Sequence, residues 1–300
     1  YNKPDIDDVD EYWSRYVRST VEHYKGRVDS WEVWNEPWSK GRFHLPSDFY
    51  AKFLTLAYNE AKRVNPECMI VGVNSVAHSS MGDAFTRGVL KITEGNFFDV
   101  FSVHNYDPGL YGGEQTTADK IVRKFDAIMA DYGRVKPIWN TEGGPGETSS
   151  WYWAQGNEAQ LVRRQLAQLV RFNVAQIGAG TGRFFFYNVY HHQVIHPVGF
   201  AGLEHDRTIR PLLAGSAVLA SLIDGANCEG RITPQEGLEG YRFRQDDGMV
   251  VSVLWSADGK THSYSIPENA EVWDMLGNTV SDDAVDVAEE PIYVIIRHKK

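Results

Sequence analysis

Two short apolar runs in this 300-residue chain each end in a glutamate. The first is Trp31-Glu32-Val33-Trp34-Asn35-Glu36-Pro37, and the second is Pro137-Ile138-Trp139-Asn140-Thr141-Glu142-Gly143-Gly144. Tryptophan, valine and isoleucine favour strands, while proline and glycine end them. Each run therefore predicts a buried strand that delivers a carboxylate at its C-terminal end. Two-residue alternation over the first run puts Glu32, Trp34 and Glu36 on one face, with Trp34 as an apolar wall behind Glu36. If both strands belong to one parallel sheet, Glu36 and Glu142 face each other across a pocket. Two opposed carboxylates are what proton transfer and nucleophilic attack at a glycosidic carbon require.

The remaining pattern supplies the frame for such a pair. Apolar and aromatic residues at helical spacing predict a helix over 8–25, stopped by Gly26. A second helix is expected over 47–64, capped by Ser47 or Asp48 and closed by Asn65-Pro66. Strands follow at 69–74, 98–104, 137–142 and 183–188, separated by helices at 83–93, 117–131 and 157–176. After a 22-residue loop over 189–210, Pro211 opens a last helix to about 222. Strands alternating with amphipathic helices predict a parallel sheet covered by helices. Beyond about residue 225 the texture changes. Short β-rich segments at 239–246, 248–255, 262–266, 270–274 and 291–297 are separated by turns such as Asp246-Asp247-Gly248 and Asp258-Gly259. The expected organisation is an α/β domain over 1–224 and a small, β-sandwich-like antiparallel domain over 225–300.

Composition narrows the classes. The apolar fraction is 42%, and 9 Trp, 15 Tyr and 14 Phe are ample for a core. The net charge of −10 argues against nucleic-acid or anionic-membrane partners. Two cysteines, Cys68 and Cys228, exclude a disulfide framework. No apolar run reaches the roughly 18 residues of a membrane helix. The compartment stays open, with export favoured over the cytoplasm.

Here a resemblance becomes specific. Trp34-Asn35-Glu36-Pro37 closes one strand, His104-x-Tyr106 the third, and Thr141-Glu142-Gly143 the fourth. In that combination the chain resembles the clan of retaining (β/α)8-barrel glycoside hydrolases (clan A), with a trailing β domain similar to that of the β-xylosidase and α-L-iduronidase families. The resemblance implies a TIM-type barrel in which Asn-Glu-Pro ends the fourth strand and the nucleophile ends the seventh. Only strands four to eight then have counterparts here, so the barrel is expected to be incomplete. The clan's contributions from its early strands, often an Arg and a His, have none.

The resemblance further implies that Glu36 is the general acid/base and Glu142 the nucleophile, about 5 to 5.5 Å apart as retention requires. Asn35 is then suited to the sugar 2-hydroxyl, Tyr106 to orienting Glu142, and His104 to bonding the sugar or a carboxylate. Trp38, Trp151 and Trp153 sit in loops after strands, where an aromatic face stacks on a sugar as readily as on other side chains. Asn74, ending its strand, is a candidate polar contact. Glu32, deeper in its strand, reads as a paired structural carboxylate. His191, His192 and His196 share the loop after the last strand, but neither a cofactor nor a metal is expected. The expected partner is a carbohydrate substrate. The rival reading is a non-catalytic carbohydrate-binding or scaffold remnant. Two open sheet edges also predict a homo-oligomer, or a second chain supplying the missing strands.

Overall fold

A computed structural model describes residues 6–41, 43–76, 79–107, 118–145, 158–189, 203, 207–280 and 283–297. By internal contacts the chain forms two compact units. One comprises Tyr1–Asn105, Lys120–Glu142 and Thr181–Arg183; the other comprises Tyr106–Asp119, Gly143–Gly180 and Phe184–Lys300.

The elements run α1 (Ile6–His23), β1 (Ser30–Glu32), α2 (Ser47–Val64), β2 (Met69–Val76), α3 (Ser80–Thr93), β3 (Val100–Asp107), α4 (Ala118–Ala130), β4 (Ile138–Pro145), α5 (Glu158–Gly178), β5 (Thr181–Phe186) and α6 (Pro211–Ile223). Strands β1 to β5 form one five-stranded sheet in sequence order, and the β1–β2 and β2–β3 pairs are parallel. These are five strands, where a closed barrel of this kind has eight. Among the described residues β1 pairs only with β2.

In the first unit, the sheet is held by helices whose buried faces follow the 3–4 spacing. On α2, Tyr50, Ala51, Phe53, Leu54, Ala57 and Ala61 are buried. A β-carbon at Gly72 would meet Leu54 Cδ1 at 2.7 Å, so only glycine lets α2 lie this close to β2. Helix α1 docks on α2 through Trp13, which stacks on Phe53 at 4.7 Å and donates its indole N–H to the Phe53 carbonyl. The expected cap of α2 is corrected: Pro46 occupies the N-cap and Ser47 is already helical, leaving no side-chain cap bond. At the other end Asn65 closes the helix as expected, its N–H bonded to the Ala61 carbonyl.

In the second unit, eight strands follow α6: β6 (Asn227–Ile232), β7 (Leu238–Arg244), β8 (Val250–Ser256), β9 (His262–Ser265), β10 (Ala270–Trp273), β11 (Thr279–Val280), β12 (Ala284–Val287) and β13 (Ile292–Ile296). Six form a sheet in the order β11-β10-β13-β8-β7-β6, and β12 pairs with β9. The pairs are antiparallel. Both faces of β8 are buried. Val251, Val253 and Trp255 join Tyr293 and Ile295 against α5 and α6, while Leu254 packs with Ile292, Val294 and Val287 on the opposite face. That double burial is why β8 reads as a continuous apolar run. The Asp-Gly turns behave as their residues dictate: Gly248 and Gly259 adopt φ of 87° and 74°, and Asp247 and Asp258 accept backbone N–H groups two residues on. Among the described residues no helix is long and apolar enough to cross a membrane.

Candidate active site

Glu32, Glu36, Asn74, His104, Asn140 and Glu142 all lie within the first unit. The strand expected to deliver Glu36 at its end is corrected at its second half, because β1 ends at Glu32. Trp34 and Glu36 then adopt left-handed φ values of 70° and 45°. Such residues cost on the order of 1–3 kcal/mol each and persist only where surrounding bonds over-determine them. Those bonds are present. The Val33 N–H bonds the Val71 carbonyl at 3.0 Å, and the Tyr50 hydroxyl, rising from α2, donates to the Val33 carbonyl at 3.0 Å. The Glu36 N–H donates to Asn74 Oδ1 at 2.8 Å, and the Glu36 carbonyl accepts the Ser39 N–H at 3.0 Å.

The turn breaks the expected alternation. Trp34 does not wall Glu36. Its indole N–H bonds the Phe43 carbonyl, and its ring meets Trp13 and Phe53 edge-on at 6.4 and 5.7 Å. Beside it a cleft of about 510 Å³ runs along the β1 edge, bounded by Trp13, Tyr16, Trp31, Glu32, Trp34 and Ile70 among others.

Strand β2 carries the complementary irregularity. Its register against β3 shifts between Gly72 and Ser75, and Val73 and Asn74 have φ of 78° and 52°. Ser102 on β3 fills this bulge: its hydroxyl donates to the Gly72 carbonyl and accepts the Asn74 N–H. Asn74, expected to touch substrate, is instead fully buried and committed to the protein. Its amide N–H₂ donates to Glu32 Oε1 at 3.0 Å and to the Trp34 carbonyl at 3.2 Å, while its oxygen holds Glu36. An acceptor pair on one side and a donor on the other fix the amide orientation.

Strands β3 and β4 bring the other partners. Asn140 is buried and clamps Asn105 by two bonds, accepting its N–H and donating to its carbonyl. This clamp fixes the register one residue past His104 and two before Glu142. His104, 2% exposed, places Nδ1 at 3.0 Å from Glu36 Oε1 and 3.7 Å from Glu142 Oε2. One oxygen from each glutamate and a ring nitrogen of His104 all lie within 4.8 Å of one another. The two carboxylates keep a partial opening to solvent, at 29% and 22% side-chain exposure. Water or a ligand can therefore reach both.

The electrostatics follow from this crowding. Burial alone would lower the His104 pKa, but the hydrogen bond its protonated ring donates to Glu36 and the charges of Glu142, Glu32 and Glu36 outweigh it, and the net shift is upward. Glu32 opens toward the cleft, yet protein surrounds its other sides. Desolvation is the main cause that raises its pKa, with the Glu142 charge adding, while Thr141, His104 and Ser102 pull the other way. Glu36, His104 and Glu142 also offer three donor atoms to a cation.

Asn35 is exposed in the turn beside Glu36. Trp38 is half-buried in the following turn, and its indole N–H is buried without a partner among the described residues. Tyr106 is half-buried on β3, two residues past His104, and belongs to the second unit. Trp151, Trp153, His191, His192 and His196 lie outside the described residues. Sequence reading missed Asn140, Ser102 and Tyr50, which act on backbone rather than on the pocket. The Asn ahead of Thr141-Glu142 was the one available signal, since a buried asparagine in a strand needs backbone partners.

No family model matches the chain, and no curated protein matches it. Among solved structures it is similar to a family 39 glycoside hydrolase from Bacteroides cellulosilyticus WH2, with a TM-score of 0.69 and 19% identity over 96% of this chain. A GH39 β-xylosidase from Caulobacter crescentus follows at 0.64 and 14%, also over 96%. A family 30 subfamily 8 xylanase from Clostridium acetobutylicum is similar at 0.60 and 13% over 98%. The chain spans 62%, 72% and 72% of those three proteins. At these identities the likeness is one of fold, and the fold neighbours are glycoside hydrolases.

Proposed function

We propose that the chain carries the catalytic carboxylate pair of a retaining glycoside hydrolase of the clan A type, acting on β-glycosidic bonds by double displacement. Glu142 is the nucleophile. Glu36 is the acid that protonates the leaving oxygen and then the base that activates water. The observation that carries this reading is the approach of the two glutamates to within 4.8 Å at one buried histidine. That spacing leaves no room for a water between attacker and sugar, which is the geometric mark of retention rather than inversion. His104 keeps Glu36 in place by its hydrogen bond. Asn35 and Trp38 flank Glu36 as sugar contacts, and Tyr106 stands next along β3.

Carbohydrate is the proposed partner, with β-xylosides and β-glucosides as the first substrates to try. The test is a panel of aryl β-glycosides with Glu142→Ala in parallel. Hydrolysis of at least one member by the parent chain and none by the variant is expected. Equal rates from both would contradict the assignment.

One observation favours a second component. Strand β1 pairs on one side alone among the described residues, and the aromatic cleft runs beside its unpaired edge. A parallel sheet needs both faces and its edges covered. Activity is therefore proposed to need further strands along β1, whether from a longer form of this polypeptide, a second copy or another chain. Sedimentation of the purified chain tests this, and an active monomer near 33.9 kDa would contradict it.

A further inference from the structure

We infer that Glu32 is a positioning residue for the proposed reaction, tying the strand end that carries Glu36, through Asn74, to the strand end that carries Glu142, through Thr141. The inference rests on the glycosidase reading for its kinetic part and on geometry alone for the rest. A single oxygen, Glu32 Oε1, accepts from Asn74 Nδ2 at 3.0 Å and from Thr141 Oγ1 at 2.7 Å. Asn74 in turn receives the Glu36 N–H, and Thr141 is covalently next to Glu142. Glu32 is thus the shared acceptor of two chains that lead to the two reacting carboxylates. Its partners lie 42 and 109 residues away, on β2 and β4.

An ordinary structural carboxylate pairs with a cation. Among the described residues no Lys or Arg lies within ion-pairing distance of Glu32. A glutamine would accept the same two bonds without the cost of desolvating a charge, so what glutamate adds is the charge itself. The titratable groups facing it are His104 from β3, Glu142 from β4, Tyr50 from α2 and Tyr16 of α1 across the cleft. Of these only His104 can carry a positive charge. The Glu32 charge favours its imidazolium, which keeps a donor on the Nδ1 that holds Glu36. The carboxylate therefore acts twice, by its acceptor on the backbone of both strand ends and by its charge on the histidine between them.

The two roles separate by substitution in the whole chain. Glu32→Gln keeps an acceptor and removes the charge; Glu32→Ala removes both. The first readout is the His104 imidazole followed by NMR across pH, which needs no catalytic activity. In Glu32→Gln it is expected to titrate at lower pH than in the parent, and an unchanged midpoint would overturn the charge role. The second readout is kcat and KM on an activated aryl glycoside. Glu32→Ala is expected to lower kcat about 100-fold with KM changed less than about threefold, as misplacement of reacting groups does. Glu32→Gln is expected to retain most of kcat at its own optimum, with its pH profile displaced to the acid side. If both variants lose only thermal stability while kcat and the His104 midpoint stay put, Glu32 is a packing residue and the inference fails. If Glu32→Ala does not fold, Glu32→Gln alone decides by the same two readouts. A parent chain inactive on every glycoside would sink the glycosidase reading, and the His104 titration would still decide the charge role of Glu32.

Discussion

The two strand ends that carry the glutamates reach one histidine by opposite means. Glu142 stands inside β4, in a strand that keeps its pleat from Ile138 onward, next to the Asn140–Asn105 clamp. Glu36 stands four residues past the end of β1, is itself left-handed like Trp34 two residues before it, and is held by side chains from α2 and β2. The first position is set by a ladder, the second by a handful of side-chain bonds. A ladder distributes its hold over many bonds and tolerates the loss of one. The Glu36 turn has no such redundancy, so its geometry is easier to break at a distance.

Substitutions should expose that asymmetry. The largest effect expected away from Glu142 is at Glu36 itself. Glu36→Ala should lower kcat/KM by about 10²–10⁴-fold on glycosides with poor leaving groups, the usual worth of a general acid. Substrates whose leaving group departs unprotonated should be spared in the first step. Equal losses on both substrate types would remove Glu36 from the role. Next comes Asn74→Ala, which strands the Glu36 N–H and takes from Glu32 Oε1 one of its two donors. We expect about 2–3 kcal/mol of destabilisation from those unpaired groups. Activity should fall about 100-fold, because the turn relaxes. Denaturant unfolding and kinetics on the same preparation measure both.

At the β4 end, Asn140→Ala should cost a similar amount of stability but far less activity, within about tenfold, since the ladder still places Glu142. An activity loss as deep as that of Asn74→Ala would erase the contrast between the two ends. Smaller again is Tyr50→Phe, which removes one hydrogen bond to the Val33 carbonyl. About 1–2 kcal/mol of stability should go, with activity changed only a few-fold.

The gentlest probe is pH. His104 has its folded pKa raised above 6.5, so it binds a proton in the native state over a range where the unfolded chain has lost it. Its stabilisation is fully present below about pH 6.5 and is lost as pH rises through the folded value. Glu32, raised above 4.5, has the same sign: its contribution is complete below about 4.5 and is lost above it. Thermal midpoints should therefore decline as pH rises through these two windows. Glu32→Gln should flatten the lower window, and a curve that climbs across both would contradict the picture of crowded acids around an imidazolium.

Much of the frame was legible in the sequence. The α2 span of 47–64 follows directly from apolar residues at helical spacing closed by Asn-Pro, and β8 from its run of β-branched residues. Three strands of the second unit escaped. β6 contains Gly230 at φ 109° inside a bulge, β11 has only two residues, and β12 is short and acidic, so none offers a periodic apolar signal. At the site the strand ends and their glutamates were readable, because composition and turn residues mark them. The path between was not. Alternation assumes extended backbone, and φ values of 70° at Trp34 and 45° at Glu36 turn Trp34 toward Trp13 and Phe53. Asn74 looked like a substrate contact for the same reason: a polar strand end gives no hint that a bulge will bury it among Glu32, Trp34 and Glu36.

The central claim is that Glu142 attacks the sugar while Glu36 serves as acid and base. Its most direct test is chemical rescue of Glu142→Ala with azide on an activated aryl β-glycoside, followed by NMR of the product anomer. The account predicts an inactive variant that regains turnover with azide and releases the α-glycosyl azide, the inverted product of a small anion occupying the space of the missing carboxylate. Substantial activity in Glu142→Ala without azide, or rescue that gives the β-anomer, would contradict it.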